Sequence, residues 1–326
     1  MRLSLLPPCL PAAERYMNQQ HFLSYQQMNN SETRYFSIAE HYVKLTFANR
    51  EVNNMKLIPS FFPFLCAPVP DEELVLSITV DDDLKPIKKE NRDRLRDFET
   101  GNGHIVVDLI KEGGQQFIFK DLKGGECSML QISKDYKHVD CALAGKHDQR
   151  VFGFQNVLMI SYAIATSFRD TILVHSSLVR QNGYGYAFHA ISGTGKSTQV
   201  SMWLRYLPNC DLMNDDNPII RVIDGIPYIF GSPWSGKTPC YRPTKAKLGA
   251  MTRIDRDDHN WVEKLTPIEA FTSVLASATS LKWDVPVFRH VCDTVTKIVE
   301  KTGCYILHCL PNREAAEVCN AAIAVK

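Results

Sequence analysis

The chain has 326 residues, which is enough for one large domain or, as we expect, two, each with material for a buried core. Its 37 basic and 36 acidic residues leave a formal net charge of +1, and this balance disfavours nucleic acid and an anionic membrane as partners. No apolar run reaches the ~18 residues that a spanning helix needs. The N-terminus is a poor match to a signal peptide. We therefore expect a cytoplasmic protein without a membrane anchor.

The ten cysteines are scattered along the chain, and no two of them have C-x-x-C spacing. In a chain of this length, such scatter is typical of reduced thiols in a cytoplasmic protein and not of a secreted disulfide framework. A zinc site is disfavoured for the same reason.

The first half of the chain predicts two regions. Residues 1–35 are polar and rich in Gln and Asn, and indicate a tail or an edge, whereas residues 36–148 indicate a β-rich N-terminal domain. The mixed-charge stretch 85–99 predicts a solvated loop or helix face, and Asp81 to Asp83 predict the end of a strand and not a metal site. The predicted strands are His41–Phe47, Leu74–Val80, His104–Ile110, Gln115–Lys120, Ser128–Ser133 and His138–Leu143.

Residues 149–326 predict a second domain, with a seam at 146–150 and a first helix over about 154–168. Strands over 171–180 and 184–191 are joined by Asn182-Gly183, which is the strongest short hairpin signal. A second hairpin turns at Asp224-Gly225. Thr266 and Glu269 form a capping box that opens a helix to about residue 277. The remaining predicted elements are a helix over 285–302, a strand over 304–310 and a helix that follows Asn312.

Residues 190–197, Ala-Ile-Ser-Gly-Thr-Gly-Lys-Ser, nearly match the phosphate-binding loop G-x-x-x-x-G-K-[ST], with Ala190 at the first glycine position. Glycines let successive backbone N–H groups curl around a phosphate, while Lys196 reaches the outer phosphates and Ser197 can ligate Mg²⁺. A helix from about Lys196 adds the partial positive charge of its N-terminus. The predicted nucleotide-binding residues are Ser192, Gly193, Thr194, Gly195, Lys196, Ser197 and Thr198.

The order of strand, loop and helix disfavours the alternative, which is a glycine-rich turn without a ligand. Two acids, Asp215 and Asp216, follow a short predicted strand at 211–213. In a phosphotransferase one carboxylate can hold the metal while its neighbour accepts a proton from an attacking hydroxyl. The alternative is an Asp-Asp-Asn-Pro turn, since Asn217-Pro218 is a turn signal by itself.

The order of His175, hairpin, phosphate loop, helix and paired acids resembles the catalytic domain of HPr kinase/phosphorylase. More broadly it resembles the phosphoenolpyruvate carboxykinase-like nucleotide-binding fold. The resemblance covers about residues 170–325 and implies an α/β (α+β) fold with a mixed β-sheet P-loop kinase domain. It further implies that Ser197 and Asp216 serve Mg²⁺, that Asp215 is the catalytic base, and that His175 lies beside this base and influences its protonation. For His175 the alternative is a structural histidine whose hydrogen-bonding groups are satisfied within the sheet.

Three differences from these families limit which of their properties we expect in this chain. HPr kinases carry a Glu-Val-Arg-Gly-type signature after the two acids that has no counterpart here, so their hexameric assembly and protein substrate are not carried over. Carboxykinases are longer and have further arginines, so that activity is disfavoured. Residues 231–237, Gly-Ser-Pro-Trp-Ser-Gly-Lys, instead resemble a branch of HPr-kinase-related proteins that includes proposed kinases of small hydroxyl compounds or peptides. Lys237 or Arg242 could stabilise charge on the transferring phosphoryl group, the alternative being a solvated loop lysine beside a core-anchoring Trp234.

The sequence therefore predicts an ATP- and Mg²⁺-dependent kinase that transfers the γ-phosphate to a hydroxyl-bearing acceptor. A serine hydroxyl of a small molecule, peptide or protein is among the candidates. ATP is favoured because no Asn-Lys-x-Asp guanine motif is present. The alternatives are a non-catalytic nucleotide-binding regulatory or scaffold protein and a stand-alone NTPase.

Overall fold

The fold consists of two nine-stranded mixed sheets, one of which curls into a half-barrel, with helices packed against them. It is seen in a computed structural model that describes residues 30–191 and 193–325. Strands make up 40% and helices 29%, which confirms the predicted mixed α/β class. The first 29 residues, which include most of the predicted polar tail, lie outside the described residues.

The first sheet is built from residues 32–143. Its strand order is β3-β1-β2-β4-β9-β8-β7-β6-β5, and only the β2–β4 and β4–β9 pairs are parallel. Short 3-10 helices lie at Met55–Leu57, Pro59–Phe64, Asp71–Glu73 and Lys89–Asn91. The strands are β1 (Glu32–Ile38), β2 (His41–Phe47), β3 (Leu65–Cys66), β4 (Leu74–Val80), β5 (Arg92–Thr100), β6 (Gly103–Ile110), β7 (Gln115–Lys120), β8 (Glu126–Ile132) and β9 (His138–Leu143).

Four predicted strands of this sheet, β2, β4, β7 and β9, are confirmed with the same bounds. Residues 32–35 belong to β1, which pairs with β3 only at Tyr35 and Phe36, so they agree with the edge alternative and not with a tail. One prediction is wrong, since residues 92–99 belong to β5 and not to a loop or helix face. The physical reason is that β5 is an edge strand paired only with β6, so solvent accepts most of its charged side chains. Charge alone does not distinguish such an edge strand from a loop.

Helix α1 (His147–Ser167) follows the first sheet, and its second half is buried without interruption over residues 161–167. It begins seven residues earlier than predicted, because the Gln149 side chain caps it by accepting a hydrogen bond from the Lys146 backbone N–H at 3.0 Å. The predicted seam at 146–150 is therefore the N-cap and first turn of this helix. Arg150 donates hydrogen bonds to Leu143 and Asp82 and so ties the helix to the first sheet. A domain boundary near residue 148 stays a prediction.

The second sheet contains β10 to β18. Its main path is β10-β14-β15-β16-β12-β11-β13, and β18 pairs with both β16 and β17. The strands are β10 (Thr171–Leu173), β11 (Ser176–Gln181), β12 (Tyr184–His189), β13 (Cys210–Asp216), β14 (Ile219–Ile223), β15 (Ile226–Phe230), β16 (Lys245–Arg256), β17 (Trp261–Lys264) and β18 (Gly303–Cys309). The helices are α2 (Lys196–Tyr206), α3 (Pro267–Ser277), α4 (Val285–Lys301) and α5 (Arg313–Ile323).

The helices cover both faces of this sheet. Helices α2 and α5 share one apolar cluster with β12, β16 and β18, whereas α3 and α4 pack in a second cluster on the opposite face. The start of α2 at Lys196 and the bounds of α3 agree with the sequence prediction. Among the helices in residues 30–191 and 193–325, none combines the length with the apolar character that crossing a membrane requires.

Both predicted hairpins are confirmed. Asn182 and Gly183 have φ of 50° and 85°, and Asp224 and Gly225 have φ of 50° and 73°, as the two-residue turns of β-hairpins require. β12 is antiparallel to β11 but parallel to β16, so the strand that enters the phosphate loop has a neighbour of each kind. The predicted run over 171–180 is two strands, since β10 pairs with β14 and β11 with β12 and β13.

The two sheets share one apolar core that includes most of α1. Trp234, from the loop after β15, lies between Phe61 at a ring-centroid distance of 5.6 Å and Tyr162 at 5.5 Å. His41 of the first sheet also contacts the Thr171 hydroxyl of the second at 2.8 Å. Trp234 is thus a core anchor, and it fixes the 231–238 loop against the first half of the chain.

Candidate phosphate-binding site

The glycine-rich loop connects β12 to α2, as predicted. Gly193 and Gly195 have φ of 82° and 132°, a region that side-chain-bearing residues rarely adopt. Added Cβ atoms would meet nothing within 4 Å, so backbone conformation and not space requires glycine at both positions. Gly195 is the N-cap of α2, which places the helix N-terminus at the loop. Ser192, also predicted to bind phosphate, lies outside the described residues.

Arg256, at the end of β16, binds the loop through the carbonyl groups of its backbone. Its guanidinium donates hydrogen bonds to the carbonyl of Gly193 at 2.6 Å and to that of Thr194 at 3.2 Å. Sequence analysis missed both Arg256 and β16 (Lys245–Arg256), a strand that pairs with β12, β15 and β18. Arg256 thus contacts carbonyl groups of the loop and, among the described residues, no loop N–H, although the Thr194 N–H donates to the Ile191 carbonyl at 3.1 Å.

Asp215 lies at the end of β13 and is 4% exposed. Its Oδ1 accepts hydrogen bonds from the hydroxyls of Ser177 at 2.6 Å and Ser197 at 2.8 Å, and its Oδ2 accepts one from the Thr238 N–H at 3.3 Å. Burial by itself would raise the pKa of Asp215, but the donors from Ser177, Ser197 and Thr238 outweigh it and lower the pKa. The carboxylate is therefore ionised at neutral pH.

Ser177 was not predicted as a site residue. It lies on β11 in register with Asp215, two positions after His175. The only signal in the sequence was this spacing, since side chains two apart in a strand share one face. Its hydroxyl is also 3.4 Å from that of Ser197, so Ser177, Ser197 and Asp215 form one hydrogen-bonded group.

His175 lies between Lys196 and Asp216. Its Nε2 is 3.0 Å from Lys196 Nζ, and its Nδ1 is 3.1 Å from Asp216 Oδ1. The side chain is 45% exposed, and both of its ring nitrogens have a partner, so a role for His175 in the reaction stays a prediction. The structure thus places His175 against Asp216 and not against Asp215. Burial lowers the pKa of Lys196, although the carboxylates of Asp216 and Asp215 act in the opposite direction.

The oxygen ligands that a Mg²⁺ ion prefers are present at this site. The structure pairs Ser197 with Asp215, while the second oxygen of Asp216 accepts a hydrogen bond from the Asn217 amide at 2.6 Å. The hydroxyl of Ser197 and the carboxylates of Asp215 and Asp216 line the same cavity. Their donor chemistry fits Mg²⁺.

The 231–238 loop closes one side of this cavity. The Gly236 N–H donates to the Asp215 carbonyl, and a Cβ at Gly236 would lie 2.8 Å from that carbonyl oxygen, so glycine is required for the close approach. Lys237 is exposed at the rim and has no ion pair within the described part of the chain. Arg242 instead donates to Asp211 at 2.6 Å and does not line the cavity.

Three cavities adjoin at the loop. The loop cavity, of about 350 Å³, is lined by His175, Lys196, Ser197, Asp215 and Asp216. The Thr198 cavity, of about 420 Å³, shares Gly193, Gly195 and Thr198 with it and extends to Ile254 and Leu310. The His175 cavity, of about 440 Å³, lies on the other side and is bordered by His175, His189 and Arg253.

No family model matches the chain, and no curated protein is significantly similar to it. The geometry of the loop and of the two acids is therefore what a functional proposal must rest on.

Proposed function

We propose that this protein is an ATP- and Mg²⁺-dependent phosphotransferase that acts on a hydroxyl group. The observation that carries the proposal is the convergence of Lys196, Ser197 and an ionised Asp215 at the N-terminus of α2, in one cavity behind a glycine loop. Phosphoryl transfer needs mainly positioning and charge stabilisation, which these groups supply.

Each group has a role in this proposal. The loop N–H groups and Lys196 hold the phosphates, Ser197 and Asp216 hold Mg²⁺, and Asp215 accepts the proton of the acceptor hydroxyl. When bound, the metal neutralises the charge that develops on the phosphate oxygens. The Ser197–Asp215 hydrogen bond at 2.8 Å also resembles the pairing of a loop hydroxyl with the metal-side acid in P-loop NTPases. Separate variants of Asp215 and Asp216 therefore test which of the two acids is the base and which holds the metal.

The positions of the neighbouring cavities support a nucleoside triphosphate as donor. Lys196 reaches the outer phosphates, whereas the N–H groups of the glycine loop cradle the inner ones. The Thr198 cavity adjoins the loop glycines and is lined further out by the apolar side chains of Ile254, Leu310 and Pro311. A nucleoside fits there by size and by polarity.

The proposal agrees with the resemblance to HPr-kinase-related proteins in the order of His175, hairpin, loop and paired acids. A mixed sheet, in which the strand before the loop has one antiparallel and one parallel neighbour, also supports it. The resemblance to a particular branch of HPr-kinase-related proteins depends on the 231–237 loop alone, and this loop does not identify the acceptor.

The test is incubation of the full chain with γ-labelled ATP, Mg²⁺ and a panel of hydroxyl compounds. We expect labelled acceptor with the unmodified protein and none with Lys196→Ala or Asp215→Asn. Lys301→Ala and Asp293→Asn, at exposed positions of α4, are matched controls and should keep full transfer.

Three results would contradict the proposal. Release of phosphate without any labelled acceptor would indicate a stand-alone NTPase. Tight ATP binding without turnover, unchanged by Asp215→Asn, would indicate a non-catalytic nucleotide-binding protein. Absence of ATP binding would exclude both nucleotide functions.

A further inference from the structure

The His175 cavity has no role in the function proposed so far. It lies between the ends of β12 and β16 and helix α3, on the face of the sheet opposite to α2. Its volume is about 440 Å³, which is within the range of small-molecule sites. Because His175 lines both this cavity and the loop cavity, a ligand here would lie beside the reacting phosphate.

Arg253 of β16 lines the cavity with a side chain that is 43% exposed. It forms a long ion pair with Asp255 at 4.0 Å, and its positive charge adds to the hydrogen bonds from Thr266 that lower the pKa of Glu269. None of the described residues that line the cavity is acidic. Because the contact with Asp255 is at the outer limit of an ion pair and neither Asp255 nor Glu269 lines the cavity, the Arg253 guanidinium can pair with an anionic group there. Arg binds a carboxylate through two parallel hydrogen bonds.

The other polar groups of the cavity are neutral or already bonded. Burial, reinforced by the positive charges of Arg253 and Lys196, lowers the pKa of His189 to about 4, so this ring is neutral at pH 7. The hydroxyls of Thr272 and Ser277 donate to carbonyls of α3. The remaining wall includes Ala276, which leaves room for a short carbon skeleton.

The direction in which a bound triphosphate would run along the loop places the acceptor on the side of the His175 cavity. If the nucleoside occupies the Thr198 cavity, the outermost phosphate lies at the opposite end of the loop, near Lys196 and His175. The His175 cavity opens at that end.

We propose that the His175 cavity is the acceptor subsite and that it takes a small hydroxy acid whose carboxylate pairs with Arg253. This rests on the proposed phosphotransferase function. The acceptor oxygen forms a bond to the γ-phosphorus, and the bond from that phosphorus to the β–γ bridging oxygen breaks. The electron pair stays on ADP, and the hydroxyl proton passes to the Asp215 carboxylate.

The test compares acceptors that differ only in charge. L-serine is paired with L-serinamide, and D-glycerate with glycerol, in assays of the full chain with ATP and Mg²⁺. We expect transfer to the acids and not to their neutral partners. In Arg253→Gln, kcat/KM for the acid should fall by roughly tenfold to a hundredfold through KM, because a charge-assisted hydrogen bond is lost. Arg289→Gln, on the exposed side of α4, is the matched control.

A second variant fills the cavity. Ala276→Phe should abolish transfer to every acid while the Kd for ATP, measured by calorimetry, stays within twofold. The substitution is at an exposed position in the last turn of α3, so we expect it to fold.

Four outcomes would overturn the subsite. They are equal transfer to serine and serinamide, an Arg253→Gln variant with a lower kcat or weaker ATP binding for all acceptors, preference for a serine-containing peptide over free acids, and failure of every acid in a protein that labels another hydroxyl compound of the panel. Failure of the phosphotransferase function itself would look different, since no compound of any kind, charged, neutral or peptide, would then be labelled.

Discussion

Two buried aspartates, one in each sheet, have nearly equal burial but different neighbours. Asp108 of β6 is 2% exposed and contacts the guanidinium groups of Arg92 and Arg94. Asp215 of β13 is 4% exposed and accepts hydrogen bonds only from hydroxyls and one N–H among the described residues. The first charge is paired with two arginines, whereas the second has no ion pair among the described residues and interacts with Lys196 only at a longer distance. In the proposed function, a bound ligand balances this second charge.

The sharpest test of this contrast is Asp215→Asn. If Asp215 serves chemistry, its loss should lower the rate of phosphoryl transfer by roughly 10²–10⁴-fold, the usual contribution of a general base. The stability should change little, because the amide oxygen still accepts from Ser177 and Ser197 and only the long hydrogen bond of 3.3 Å from the Thr238 N–H is lost. Single-turnover transfer and urea unfolding measure the two effects. A large loss of stability with retained transfer would show that Asp215 serves the fold, as Asp108 does, and not the reaction.

Asp108→Asn should show the opposite pattern. The free energy of unfolding should fall by roughly 3 kcal/mol, near the lower end for a broken buried ion pair because half of Arg94 stays in water. The folded fraction should still transfer phosphate at the normal rate. Chemical denaturation followed by circular dichroism gives the first value. A stability equal to that of the unmodified protein would mean that the two arginines do not need this partner.

Ser177→Ala removes one donor from Asp215 and should have a smaller effect, about 1–3 kcal/mol in stability at neutral pH. Because Ser177 lowers the pKa of Asp215, the variant's pKa should be higher. Its activity should therefore be lost at a higher pH as the solution is made acidic. The same sign holds for stability, since the contribution of a depressed carboxyl pKa is present above its unfolded value and is lost as pH falls. An unchanged pH–rate profile would contradict the role given to Ser177.

Lys237→Ala should have the smallest effect. Lys237 is exposed at the rim of the loop cavity, where the attraction between two charges in water is about 1 kcal/mol at 4 Å. We expect roughly a fivefold lower kcat, and no change for Lys301→Ala. A loss as large as that of Asp215→Asn would show that this lysine moves into the site during the reaction.

Local signals predicted much of this molecule. The Asn182-Gly183 turn and the loop glycines require particular backbone angles. The Thr266–Glu269 capping box satisfies backbone N–H groups of residues three apart. Each of these signals can therefore be recognised in a short segment. The pairing of Ser177 with Asp215 joins residues 38 positions apart and depends on strand register. β16 and Arg256 were missed for the same reason, because a central strand is defined by its neighbours in the sheet.

The packing of Trp234 between Phe61 and Tyr162 has a consequence for any attempt to isolate the second half of the chain. Asn214, next to Asp215, donates to the Trp234 carbonyl at 2.9 Å, so the acid is positioned by a loop whose anchor lies partly in the first sheet. A fragment that begins after residue 148 would keep the phosphate loop but lose Phe61 from this anchor. We therefore expect such a fragment to hold Asp215 less rigidly than the full chain does.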